Sequence, residues 1–352
     1  MTHVLTGTIA DGLTLEDYGW SPHFQAQLTA ESASLLPVRV VAVHRDALDV
    51  AGPGFEGRIA GLAQRDDGQT ATIGDWLLID GGRRAVRLLE RRSVFTRKSA
   101  GTARRVQLIA ANIDTMLLLT SANQDFNLAR LERFLALASE AHVTPVVLIT
   151  KADLAEDVAP YIASVRALMP GIAVEAFDAR SADAAEQLKP WFARGKTLVL
   201  LGSSGVGKST LVNSLMGRLL QETQGVRGDD DKGRHTTSAR SLHRLANGAW
   251  LIDTPGIREL QLIDAAQGVD EVFEDVALLA ANCRFSNCTH VDEPGCAVQA
   301  AIASGALDTQ RFKRFQKLQD EEQRNSEAIA RAKRPGSASK RAFARKRAEQ
   351  DR

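Results

Sequence analysis

The chain has 352 residues, 44% of them hydrophobic and 25% charged, with 44 Lys+Arg against 43 Asp+Glu and only three cysteines. Those values fit a soluble globular protein of two or three domains and exclude a disordered chain. No apolar run approaches the ~18 residues of a membrane helix, and Met1 to Ala10 lacks the regions of a signal peptide. Three clustered cysteines make no disulfide framework, so a secreted scaffold is excluded and a reducing cytoplasm is expected. The near-zero net charge also hides an asymmetry: residues 311–352 carry 14 basic and 6 acidic side chains, whereas the remainder carries 30 and 37. A basic tail on an acidic body fits a polyanionic partner, and it equally fits a solvated helix with a frayed end.

Residues 1–34 read as an extension that packs onto a domain or stays mobile. From residue 35 the pattern becomes short apolar strands: Val38, Val40 and Val43, then Leu48–Ala51, Phe55–Ile59, Trp76–Ile79 and Val86–Leu89, separated by Gly and Asp turns. Strands this short and close suit a small barrel, an OB-fold first among them, although any small barrel gives this pattern. Arg91, Arg92, Arg97, Lys98, Arg104 and Arg105 then form an acid-free run. As a linker it would be solvated or would follow a phosphate backbone.

Beyond residue 106 strands alternate with helices. Strands are expected at Thr115–Leu119, Val146–Ile149, Ile172–Phe177, Thr197–Leu201, Ser238–Leu245 and Ala249–Ile252, and helices at Leu128–Ala141 and Val158–Leu168. This is the pattern of an open, mostly parallel α/β sheet, whose ligands bind at the carboxyl ends of the strands. Thr150-Lys151-Ala152-Asp153 stands at one such end, where an aspartate can accept hydrogen bonds from guanine N1–H and the 2-amino group. Gly202-Ser203-Ser204-Gly205-Val206-Gly207-Lys208-Ser209, followed by Thr210, matches G-x-x-x-x-G-K-[ST] between a strand and a helix. Its backbone N–H groups would cradle phosphates, with Lys208 on the β- and γ-phosphates and Ser209 on Mg²⁺. Asp253-Thr254-Pro255-Gly256 lies 44 residues past Ser209. There Asp253 would hold Mg²⁺ through water and the Gly256 N–H would meet the γ-phosphate. Between them, Gly233-Arg234-His235-Thr236-Thr237 is either a switch in which Thr237 closes over Mg²⁺ or an ordinary surface loop. Ile257 occupies the position where Ras-like enzymes use a water-orienting glutamine, so slow intrinsic hydrolysis is expected and His235 is the nearest acid/base candidate.

The order of these motifs is base recognition, phosphate loop, then switches, which is the order of a circularly permuted GTPase. Farther on, Cys283, Cys288, His290 and Cys296 give C-x4-C-x-H-x5-C, a closed Cys₃His set suited to one structural zinc. Helices are expected at Val298–Ile302 and Arg311–Leu318. A basic run from Lys340 to Arg347 has a single aromatic residue, which suits phosphate contact better than base stacking.

The permuted order, the zinc pattern and the small barrel together resemble the RsgA (YjeQ) family of small-ribosomal-subunit biogenesis GTPases. The likeness extends to Ser93-Val94-Phe95-Thr96-Arg97-Lys98, Asn123-Gln124-Asp125-Phe126-Asn127 with Arg130 and Arg133, and Cys283-Arg284-Phe285-Ser286-Asn287-Cys288-Thr289-His290. It implies a GTP-hydrolysing enzyme that binds the 30S subunit, acts late in its maturation and is stimulated by it. The barrel and zinc domain would contact 16S rRNA. The expected architecture is an extension (1–34), an OB-fold β-barrel (35–95), a central α/β circularly permuted P-loop GTPase domain (104–262), a mainly helical zinc-binding domain (263–335) and a basic tail (336–352), as a monomer with no membrane partner. Two departures stand out: the usual Ser-Ala base element appears as Phe177-Asp178-Ala179-Arg180, and the base motif opens with Thr150 instead of asparagine. Rival readings are a nucleotide-controlled RNA-binding module whose hydrolysis is incidental, and an ATP-using P-loop enzyme.

Overall fold

The computed structural model describes residues 12–60, 70–98, 106–181, 184–216, 240–253 and 262–333. Residues 12–34, with the short helix α1 (Pro22–Gln25), pack onto the rest of the molecule. Phe24 and Trp20 seat their rings 5.8 and 4.8 Å from that of Trp76. The Trp250 indole N–H donates to the Asp17 carbonyl at 2.7 Å, across 233 residues of sequence. The apolar alternation after residue 35 becomes β1 (Leu36–Val43), β2 (Ala47–Gly52), β3 (Phe55–Ala60), β4 (Trp76–Ile79) and β5 (Ala85–Leu88). All are antiparallel: β1 pairs with β2 and β4, β3 with β2, and β5 with β4. Val38, Val40, Leu48, Val50, Ile59 and Leu77 close on one another as its core.

The basic segment expected as a linker is largely folded. Val94–Lys98 forms β6, paired antiparallel with β7 (Val106–Ala111). Arg91 donates to the fully buried Asp75 at 2.7 and 2.8 Å, and Arg92 to Asp114 at 2.6 Å. At these two positions the charge is therefore consumed inside the fold, because the acids that meet it lie 16 and 22 residues away and are invisible to a local charge count. Arg104 and Arg105 lie outside the described residues.

The central sheet contains β8 (Thr115–Ser121), β9 (Thr144–Thr150), β10 (Ala173–Ala176), β11 (Thr197–Gly202), β12 (Arg240–Arg244) and β13 (Trp250–Asp253). Its order is β10-β9-β8-β11-β13-β12, parallel from β10 to β13 and antiparallel at β12. Every residue of β8 is buried, as strands covered on both faces require. Helices α2 (Leu128–Glu140), α3 (Ala159–Arg166), α4 (Ala184–Gln187) and α5 (Lys208–Met216) connect the strands. The sheet continues through β12 into β1 by the pairs Ala42↔Ser241 and Val43↔Arg240.

Arg39 on β1 fastens these parts together. Its buried guanidinium donates to the Tyr18 carbonyl (2.6 Å), the Thr197 hydroxyl (2.7 Å) and the Asn112 carbonyl (3.3 Å). Burial pushes its pKa down to about 10, so it remains cationic at neutral pH. One side chain thus holds the extension, β1 and the first residue of the strand that leads into the phosphate loop.

The C-terminal part consists of α6 (Ala266–Val272), α7 (Glu274–Ala280), α8 (Ala297–Ala303) and α9 (Thr309–Lys333). α6 runs so close to α2 that a Cβ on Gly268 would meet the Ala136 carbonyl at 2.1 Å. Glu132 of α2, fully buried, accepts from Arg314 at 2.7 Å and Arg311 at 3.0 Å, both on α9. The helix expected over Arg311–Leu318 therefore extends in both directions, kept on the body by Arg133–Glu321 (2.7 Å) and by buried Ile329. No helix of the described residues is long and apolar enough to cross a membrane.

Candidate functional site

The register of the parallel strands brings several of the predicted motifs to one edge. Ser121 lies beside Thr150, Gly202 beside Leu119, Ala176 beside Ile149, and Val199 beside Ile252. The loops leaving β9, β10 and β11 consequently emerge together, at the edge where β13 also ends and at the switch point where β8 and β11 send the chain to opposite sides.

The phosphate loop begins at Gly202, whose φ is 152° and where a Cβ would meet the Leu119 carbonyl at 2.4 Å, so only glycine fits against β8. The loop ends at Lys208, the first residue of α5, while Ser209 beside it is exposed. The buried Lys208 ammonium donates to the carbonyls of Gly202 (2.8 Å) and Ser203. The buried Ser203 hydroxyl has no hydrogen-bond partner among the described residues. An orphaned hydroxyl, a poised ammonium and the start of a helix are the donor set an oxyanion needs.

Thr150 is fully buried, and its hydroxyl donates to the Val206 carbonyl at 2.7 Å, with the Thr120 carbonyl 3.1 Å away. The residue that replaces asparagine in the base motif thereby fastens the base loop to the phosphate loop. Lys151 takes a left-handed conformation (φ 57°) and turns the chain into a 3-10 turn over Ala152–Leu154. Asp153 then accepts from Arg180 at 2.7 Å. Asp178 accepts both the backbone N–H of Arg180 (2.9 Å) and its Nε (3.2 Å). The N–H and guanidinium of Arg180 hold the Asp178 carboxyl below the usual range, and Asp178 with Asp153 raises the Arg180 pKa. The Arg180–Asp153 contact was missed from sequence. Its only signal was an acid and a base two residues apart just past a strand.

Of the predicted residues, the structure brings Thr150 against Val206 and Gly207 of the phosphate loop, and Lys151, Ala152 and Asp153 follow it directly in the chain. Asp253 ends β13, with its backbone beside Ser241, and its side chain lies outside the described set. His235, Thr237, Gly256 and Ile257 lie outside the described residues.

A second cluster sits between α7 and α8. The ligand atoms of Cys283, Cys288, His290 and Cys296 all lie within 4.8 Å of one another. Nδ1 of His290 is 3.5 Å from the sulfurs of both Cys283 and Cys296, and those sulfurs are 3.9 Å apart. Metal–sulfur and metal–nitrogen bonds of ~2.3 and ~2.0 Å in a tetrahedron give edges of about 3.8 and 3.5 Å, so Cys283, His290 and Cys296 are spaced as three ligands of such a site, with Cys288 near enough to be the fourth. The loop is braced around it. Glu293 accepts the N–H groups of Thr289 (2.8 Å) and Val291 (3.1 Å), and the Gln299 amide donates to the His290 carbonyl at 2.6 Å. Burial pushes the Cys288 thiol up to about 11, a proton that a metal must displace on binding.

Comparison with known proteins agrees with this geometry. Residues 88–263 match the RsgA GTPase family model. A protein named "Small ribosomal subunit biogenesis GTPase RsgA 2" from Vibrio vulnificus (strain CMCP6) is 46% identical over 324 residues, covering 92% of each chain. "Small ribosomal subunit biogenesis GTPase RsgA" of Mesorhizobium japonicum (strain LMG 29417 / CECT 9101 / MAFF 303099) is 48% identical, covering 90% of this chain and 92% of that protein. Among solved structures, YjeQ from Thermotoga maritima superposes with a TM-score of 0.59 at 24% identity, over 81% of this chain and 97% of that one. YloQ, described as a circularly permuted GTPase, gives 0.58 at 23% identity, over 83% of this chain and 98% of its own. These last two establish the circularly permuted GTPase fold.

Proposed function

The chain belongs to the RsgA GTPase family, and from that membership we propose how its site serves the small ribosomal subunit. It is a GTP-hydrolysing enzyme of small-ribosomal-subunit biogenesis. In our reading it works in the cytoplasm as a monomer, binds the 30S subunit late in maturation and hydrolyses GTP to GDP and phosphate when the subunit stimulates it. The antiparallel strands β1–β5 serve as an OB-fold barrel, and together with a zinc-bearing Cys₃His domain they contact 16S rRNA.

Asp153 accepts guanine N1–H and the 2-amino group, donors that adenine lacks, which separates GTP from ATP. The N–H groups from Gly202 to Thr210 cradle the phosphates, and the Lys208 ammonium turns from its loop carbonyls to the β- and γ-oxygens. Ser209 and Asp253 would hold Mg²⁺, which neutralises charge on those oxygens when bound. Thr237 would close over Mg²⁺ and the Gly256 N–H would meet the γ-phosphate, and His235 is the candidate acid/base in a chain with Ile257 where glutamine would orient water. The observation that carries this reading is the Thr150–Val206 hydrogen bond, which makes the base and phosphate loops one unit.

The test is GTP turnover with and without purified 30S subunits. If the subunit completes the catalytic set, the rate should rise on the order of 10²-fold, the worth of one well-placed catalytic group. Equal rates would remove the subunit from the catalytic step.

A further inference from the structure

The carboxylate assigned to guanine is already in contact with a cation of its own chain. Nη2 of Arg180 donates to Oδ2 of Asp153 at 2.7 Å, joining the loops after β9 and β10. Asp178 keeps the guanidinium there: its Oδ1 accepts both the Arg180 backbone N–H (2.9 Å) and Nε (3.2 Å). The Arg180 side chain is 68% exposed, against 29% for Asp153, so the arginine has room to leave while the carboxylate stays. We infer that Arg180 sets nucleotide affinity: it is an internal counter-ion on Asp153 that guanine must displace, with Asp178 retaining it nearby.

The inference rests on the reading of Asp153 as the guanine acceptor. When a competent form is only partly populated, the observed Kd is the intrinsic one divided by that fraction. Exposed ion pairs are weak, so the contact should reduce affinity only about two- to five-fold. It should also fade with ionic strength, because solvent-exposed charges are screened.

The experiment is equilibrium titration of the full chain with a fluorescent GDP, comparing wild type, Arg180→Ala and Arg180→Lys at low and high salt. Arg180→Ala should bind about two- to five-fold tighter at low salt, and the ratio to wild type should approach one at high salt. Arg180→Lys, which keeps a cation, should stay nearer to wild type. Unchanged or weaker binding by Arg180→Ala at low salt overturns the inference, weaker binding meaning that the arginine helps to hold the base. A parallel ADP titration of wild type separates the two levels. Equal binding of ADP and GDP would defeat the base-site reading itself, whereas a kept GDP preference with unchanged Arg180→Ala affinity would defeat only the inference.

Discussion

Chelation of the Cys₃His site is expected to unfold the segment between α7 and α8 and to loosen α8 with it. Residues 281–296 contain no strand or helix, and what shapes them is four donors facing one point, helped by Glu293 and Gln299. Metal binding at a closed site of this type supplies about 10–16 kcal/mol, more than a loop of this size gains by burial. Cys296 also caps α8, its sulfur accepting the Gln299 N–H at 3.4 Å, so removal of the metal releases the helix start. Protein purified without chelator should carry one zinc per chain. Stripping it should make three thiols reactive and lower the thermal midpoint of the C-terminal unit, and Cys296→Ala should do the same. The phosphate site should survive, because the Glu132–Arg311 and Glu132–Arg314 contacts that hold α9 on the body do not use the metal. Zinc-free protein with unchanged melting and unreactive thiols would contradict the assignment.

Lys208→Ala is expected to lower kcat for GTP on the order of 10²–10³-fold, the usual loss when one preorganised donor to transition-state charge is removed. The lysine is placed for this by the fold: buried at the head of α5, it already lies against the carbonyls of Gly202 and Ser203. Its turn from those carbonyls to the phosphate oxygens accompanies nucleotide binding, so little reorganisation is left when charge develops on the transferring phosphoryl group. The nucleotide-free melting temperature should stay close to that of wild type, which separates lost chemistry from lost structure. Wild-type turnover in Lys208→Ala would show that the loop does not bind the reacting phosphates.

How much of this was legible beforehand follows from the range over which each signal acts. The strand Trp76–Ile79, the helix that starts at Leu128, the phosphate loop and the four metal ligands are set by neighbours within a few residues, and local pattern finds them. The ion pairs are not local. Arg311 meets Glu132 across 179 positions, and Arg92 meets Asp114 across 22. The basic excess of residues 311–352 therefore overstates the charge offered to a partner, since Arg311 and Arg314 are met by two acids outside that segment, Glu132 and Asp275. The strand β6 escaped detection because Arg97 and Lys98 interrupt its short apolar run, and it is the pairing with β7 that makes it a strand. Likewise Thr150 reads as a departure from asparagine in sequence, and only the fold shows its hydroxyl on the Val206 carbonyl.

The central claim is that loops in permuted order form one guanine-reading site with Asp153 as its discriminating acceptor. It is tested most directly by kcat/KM of wild type and Asp153→Asn with GTP and with XTP. The account predicts that Asp153→Asn loses on the order of 10²-fold with GTP, as expected for a charged hydrogen-bond pair, and gains with XTP, whose 2-oxo group accepts from the new amide. A variant that still prefers GTP to the same degree as wild type would contradict it.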